Sequence, residues 1–323
     1  MNTLKIGFIP AHRGVMDQNF SIDRRGRLLH VFSAGKEVEL VAPDDTLTTA
    51  GLVSNEHEAR KVIELFLQSR LDGIVLGVLG YGDEKSVLAI VEDFPNLPVF
   101  LIAMQEPVPQ GGFYEGASVG GMFPISYGLH KRNIRFTFGG VFDPEDERLK
   151  EEFDAFKRLC LAIKKFRKAR IGMIGLRPYD FEVCMINEGL LLERYRQKIV
   201  PLNLIDLKYA IEKIHDNDER VIAIIDEITS AFQVQCKKSD LVKVAKLEIL
   251  MLQYAREYQL DAFTIQCWTA IQDYIGLTPC LTNGRVTNMG FPVACEGDVL
   301  GALVMLLQRE VTLEKGIPWL ADI

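Results

Sequence analysis

The chain has 323 residues, is 48% hydrophobic by composition and carries a formal net charge of −7. That length supports a sizeable core and two domains, and the acidic balance excludes a global field for nucleic acid or anionic lipid. The first residues are too poor in apolar side chains for a signal peptide, and no run reaches the roughly 18 apolar residues of a membrane helix, so the sequence reads as cytoplasmic with no membrane partner.

Short apolar runs rich in Val, Ile and Phe recur along the chain at 5–10, 38–43, 73–79, 98–104, 135–142, 169–175, 199–204, 220–226, 261–268 and 292–296. They are apolar on both faces, as strands of covered parallel sheets are. Helical segments lie between many of them. Residues 55–70 open on an Asn cap and keep helical apolar spacing. Residues 144–170 read as one long helix, with Pro144 in its first turn and Glu145, Asp146 and Glu147 after it. Leu149, Phe153, Phe156, Cys160 and Ile163 form one face of that helix. Lys164, Lys165, Arg167 and Lys168 near its end complement the helix dipole. The alternation predicts an α/β protein with two doubly wound, parallel-sheet (Rossmann-like) domains. The first covers residues 1–168 and the second 169–310, with 311–323 beginning a further region.

Cysteines stand at 160, 184, 236, 267, 280 and 295, with no CxxC pair. With no secretory signal they read as reduced and mostly buried thiols.

Three motifs fail on context. GASVG (116–120) has the nucleophile-elbow pattern around Ser118, but a loop precedes it where a buried strand is required. The first strand lacks G-x-G-x-x-G after it, so Asp44 completes no dinucleotide fingerprint. GVLGYGDE (77–84) is more simply a turn before a capped helix.

The stretch GFPVACEGDVLGALVMLLQ (290–308) is different. Glu296 follows an apolar strand at its carboxyl end, where doubly wound sheets bind ligands. A carboxylate there is either paired with a cation or holds a metal. Asp298 reads as the cap of the helix that follows.

Residues 265–308, together with IGLRPYDFEVCMINEGLLLERY (174–195) and the terminal PWLADI (318–323), resemble the L-fucose/L-arabinose isomerase family. The likeness covers the second domain and the end of the chain, and the first domain in strand pattern alone. It implies an aldose–ketose sugar isomerase working through a cis-enediol, with Mn²⁺ or another divalent cation. It makes Glu296 and Asp322 metal ligands and proton carriers, Trp268 a wall of the sugar pocket, and Arg13 a sugar contact that can come from a neighbouring subunit of a homo-oligomer. Carboxylates and imidazole suit Mn²⁺, and such an ion stabilises charge on sugar oxygens.

In that family a histidine from a C-terminal domain completes the site. The histidines here (12, 30, 57, 130 and 215) all precede the signature, and the chain stops one residue after Asp322. The expectation is therefore a fragment, one part of a split enzyme with a separate C-terminal chain, or a paralogue that lost catalysis. Two alternatives stand beside the isomerase: a non-catalytic sugar-binding or regulatory protein, and a serine hydrolase using Ser118.

Overall fold

A computed structural model of the chain describes residues 3–35, 37–106, 116–312 and 316–320. The chain divides into two compact units, Met1–Leu161 and Ala162–Ile323. Among the described residues no helix is long and apolar enough to cross a membrane.

The first unit alternates strand and helix: β1 (Leu4–His12), α1 (Gln18–Phe32), β2 (Val38–Val41), α2 (Glu56–Ser69), β3 (Gly73–Gly80), α3 (Glu84–Glu92), β4 (Val99–Met104), α4 (Ser118–Lys131), β5 (Phe136–Phe142) and α5 (Glu147–Phe166). The five strands pair in parallel in the order β2-β1-β3-β4-β5. Every residue of β3 and β4 is buried. Successive side chains point to opposite faces, so Ile74, Leu76, Val78, Leu101 and Ala103 enter one core while Val75, Leu79, Phe100 and Ile102 enter the other. That two-sided burial is why these runs lack polar alternation. Asn55 caps α2 by accepting from the Glu58 N–H at 3.0 Å.

The long helix is shorter than the pattern 144–170 suggests. α5 begins at Glu147, leaving Pro144 in the turn before it, and the backbone leaves the helix by Lys168, whose φ is +67°. Four of the five predicted face residues, Leu149, Phe153, Phe156 and Cys160, are buried together against the first sheet, while Ile163 is only partly buried.

The second unit contains β6 (Arg170–Ile174), α6 (Glu188–Tyr195), β7 (Lys198–Leu202), α7 (Leu204–Lys213), α8 (Glu219–Ala231), α9 (Lys238–Glu257), β8 (Ala262–Ile265), α10 (Ala270–Ile275), α11 (Cys280–Asn288), β9 (Val293–Ala294) and α12 (Val299–Val311). Its strands are parallel in the order β7-β6-β8-β9. Both sheets are parallel throughout, so the two-sheet doubly wound architecture holds. One strand expectation does not. Residues 220–226 lie inside α8, which Asp218 caps through the Arg220 N–H at 2.9 Å. Val221, Ile225 and Ile228 are buried at helical spacing, while Ile222 is exposed. A short apolar run fits either state, and here the cap and the period decide.

Candidate functional site

In each unit the strand order reverses beside the first strand, at β1/β3 and at β6/β8. Ligands of such sheets bind beyond the carboxyl ends at these reversals. In the first unit Arg13 leaves β1 there. Its N–H donates to the Gly80 carbonyl at 2.9 Å, its Nε to the Gly82 carbonyl at 3.1 Å, and its guanidinium lies 4.8 Å over the Tyr81 ring. The preceding His12 is buried, with Nδ1 2.9 Å from Ser21 Oγ. Burial pulls its pKa below the ordinary histidine value, against the opposing pull of Glu58 and Asp17.

Ser118 is not a nucleophile. It is fully buried, donates to the Val78 carbonyl and accepts from the Met104 N–H at 2.7 Å, while its own N–H meets Glu106. Its hydroxyl ties α4 to the sheet, and the hydrolase reading falls.

The second unit gathers three loops at the carboxyl edge of its sheet. The loop after β6 is held by Arg177, whose Nη1 donates to the carbonyls of Pro178 and Tyr179, each at 3.1 Å, and to that of Phe181 at 3.4 Å. Gln266, after β8, accepts from the Leu176 N–H at 2.9 Å. The loop after β9 folds back onto β8 through Gly297, whose N–H donates to the Ile265 carbonyl at 3.1 Å. Glu296 and Gly297 are both left-handed there, with φ of +63° and +70°. For Glu296 that conformation costs roughly 1–2 kcal/mol relative to an ordinary backbone. The turn lifts the half-buried Glu296 side chain into a cleft of ≈ 510 Å³ lined by Asp180, Phe181, Glu182, Val183 and Glu296.

Asp298 is the cap that its position predicts, accepting from the Gly301 N–H at 2.8 Å. Trp268 follows β8, beside the strand that delivers Glu296, and is 54% exposed. Asp322 lies outside the described residues. Arg13 belongs to the first unit and Glu296 and Trp268 to the second. Asn187, in the second quoted segment, caps α6 through the Leu190 N–H at 2.9 Å.

Two features of this edge escaped the sequence reading. Asp180 and Glu182 line the cleft with Glu296; the Arg-Pro pair directly after a predicted strand was the available signal. The other is a thiol cluster. Cys267 lies close to the Cys295 thiol and to the backbone of Glu296. The first of these, working against burial, brings the Cys267 pKa down to about 7. The neighbouring Cys267, then burial, pushes Cys295 well up. Asn283 Nδ2 lies 3.7 Å from Cys295 Sγ, and Cys280 is close enough for its charge to be felt.

Asp180, Glu182 and Glu296 bring carboxylate oxygens to one cleft, the kind of donor that a hard divalent cation takes. Among the described residues no three His, Cys, Asp or Glu side chains converge as a metal site.

The acid-lined cleft lies at the carboxyl ends of the second unit's strands, the edge where doubly wound α/β sheets bind ligands. Residues 7–167 match the family model described as fucose/sulfoquinovose isomerase, N-terminal domain. Similar proteins include the sulfoquinovose isomerase of Alkalicoccus urumqiensis, 26% identical over 269 residues, covering 80% of this chain and 58% of that protein. The sulfoquinovose isomerase of Priestia aryabhattai is 22% identical over 290 residues, covering 88% of this chain and 61% of that protein. The chain belongs to the fucose isomerase-like family. It spans 58% to 61% of the length of these two relatives. The family match falls on the first unit, where the sequence had offered strand pattern alone.

Proposed function

We propose that the protein is a metal-dependent aldose–ketose isomerase in which Glu296 is a catalytic carboxylate. The observation that carries the reading is Glu296 itself, held on left-handed backbone at the carboxyl end of β9 and lining an acidic cleft. The names of the relatives support it and make sulfoquinovose the first aldose to test.

Glu296 and Asp322 would hold the cation, Mn²⁺ or another hard divalent ion. When bound, such an ion polarises neighbouring carbonyl and hydroxyl oxygens of an open-chain sugar and stabilises negative charge on them. One of the two carboxylates takes the proton from C2 of the aldose and returns it at C1 through a cis-enediol. The other moves the hydroxyl proton. Because Glu296 is half-buried, its carboxylate is less screened by water and its electrostatic leverage on the sugar is greater. Trp268 supplies an apolar wall beside it. Arg13 is the second polar contact to the sugar, reaching it from a neighbouring copy in a homo-oligomer, as the family resemblance implies.

The test is incubation of the protein with Mn²⁺ and a panel of aldoses, sulfoquinovose among them, in D₂O, followed by NMR. The expected product is a ketose with deuterium at C1. No conversion of any aldose at excess Mn²⁺ would contradict the proposal.

A further inference from the structure

Helices α7, α9 and α10 of the second unit border another cleft, of ≈ 280 Å³, which shares no lining residue with the one at Glu296. Its floor is apolar: Ile211 and Ile275 are buried and Val242 is half-buried. Its polar lining is rich in lysine. Lys243 and Lys246 stand one turn apart on α9, and Lys208 joins them from α7. This is a local excess of positive charge in a chain whose net charge is −7.

An ammonium group has three N–H donors, and each of these meets one partner among the described residues. Lys246 Nζ lies 2.5 Å from Asp216 Oδ1, Lys243 Nζ donates to the Gly276 carbonyl at 3.0 Å, and Lys208 Nζ lies 4.2 Å over the Tyr274 ring. Lys246 is the most demanding of the three. Its side chain is 9% exposed, whereas that of Asp216 is 79% exposed. Burying an ammonium costs several kcal/mol unless an anion offsets it, and a carboxylate so open to water is strongly screened. The acids that line the cleft, Glu212 and Asp216, are both exposed and are outnumbered by the lysines. Ser239 also lines it, at the second residue of the 20-residue α9. There the helix dipole and the first-turn N–H groups favour negative charge.

We propose that this cleft is a binding site for a small phosphate-bearing ligand. A phosphate monoester brings about −1.5 to −2 charges and three acceptor oxygens, one oxygen for each lysine. Lys243 and Lys246 act on it as point charges from α9, Lys208 from α7, and the Ser239 hydroxyl donates at the helix start. The apolar floor receives the uncharged body of the ligand. Asp216 gives way by turning further into solvent, and the ligand then offsets the charge of the buried Lys246. Nothing in this site depends on Glu296 or on the isomerase reading.

The test is isothermal titration calorimetry of the full chain with glucose 6-phosphate, inorganic phosphate and glucose, in a low-salt buffer free of phosphate. One phosphate ligand should bind per chain, and glucose should not bind. Affinity should fall at least about tenfold in Lys243→Gln and in Lys246→Gln, and stay at the parental value in Lys150→Gln, an exposed lysine of the first unit. Asp216→Asn and Glu212→Gln remove competing negative charge and should tighten binding severalfold. A purely structural Lys246–Asp216 pair gives no such gain. Circular dichroism checks each fold. Should the buried Lys246 not tolerate replacement, the Lys243, Glu212 and Asp216 variants decide the question without it. Equal affinity for the two phosphates supports a site for the free ion, and tighter binding of glucose 6-phosphate supports one that also uses the apolar floor. No binding of either phosphate up to about 10 mM would overturn the proposal. So would equal binding of glucose, or an affinity unchanged across the lysine and acid variants.

Discussion

A β-carbon placed on Gly297 would stand 2.7 Å from the Arg177 Cα and equally close to its backbone nitrogen. The loop after β9 and the loop after β6 therefore touch backbone to backbone, and that contact sets Glu296 beside Asp180 and Glu182. Gly297→Ala should cost about 2–4 kcal/mol, from the left-handed φ of +70° and the enforced separation of two main chains. Urea unfolding measures this. A loss below about 0.5 kcal/mol would mean that the two loops move apart freely.

Glu296→Gly separates backbone from chemistry. The left-handed cost disappears and is partly offset by the entropy of the added glycine. The backbone terms alone favour the variant by up to about 1 kcal/mol, set against whatever contacts the Glu296 side chain makes. Mn²⁺ binding, read by electron spin resonance, should fall sharply. A variant that loses stability and keeps its Mn²⁺ affinity would make Glu296 a structural residue.

Asp298 is two residues away and should behave in the opposite way. Asp298→Ala removes the hydrogen bond to the Gly301 N–H and should cost about 1 kcal/mol of stability. Its Mn²⁺ affinity should stay within about threefold of the parent, a difference of about 0.6 kcal/mol. Loss of the ion in this variant would place Asp298 among its ligands.

His12 gives the first unit a pH dependence of definite sign. Its folded pKa lies below 6.5 because burial disfavours the imidazolium. The unfolded chain therefore takes up the proton first as pH falls. This contribution to stability is complete above pH 6.5 and declines below it, by at most about 1.4 kcal/mol per pH unit. Urea midpoints between pH 7 and 5 should fall more steeply for the parent than for His12→Gln. Equal slopes would show that His12 titrates alike in both states.

Much of this arrangement is legible in the sequence because burial on both faces of a parallel strand leaves continuous apolar runs. Residues 73–79 and 98–104 are such runs, and the carboxylate at 296 stands out by interrupting another. Caps were legible too: Asn55 and Asp298 do what short polar side chains before helices do. Residues 220–226 misled because seven apolar-rich residues fit a strand or a helix, and the Asp218 cap settles the choice only when read together with Val221, Ile225 and Ile228. The cleft partners Asp180 and Glu182 and the Cys267–Cys295 pair were hidden for another reason. Their proximity comes from strand order: β6 lies beside β8 although β7 and four helices, α6 to α9, separate them in the chain, and β8 lies beside β9 across α10 and α11, so no local pattern encodes it.

The central claim is that Glu296 carries the chemistry, and the rate of Mn²⁺-dependent aldose-to-ketose conversion by Glu296→Gln tests it most directly. The side chain keeps its size and loses its charge and its basicity. The account predicts a fall of about 10²–10⁴-fold in turnover with the fold intact by circular dichroism. A Glu296→Gln protein that turns over at the parental rate would contradict it.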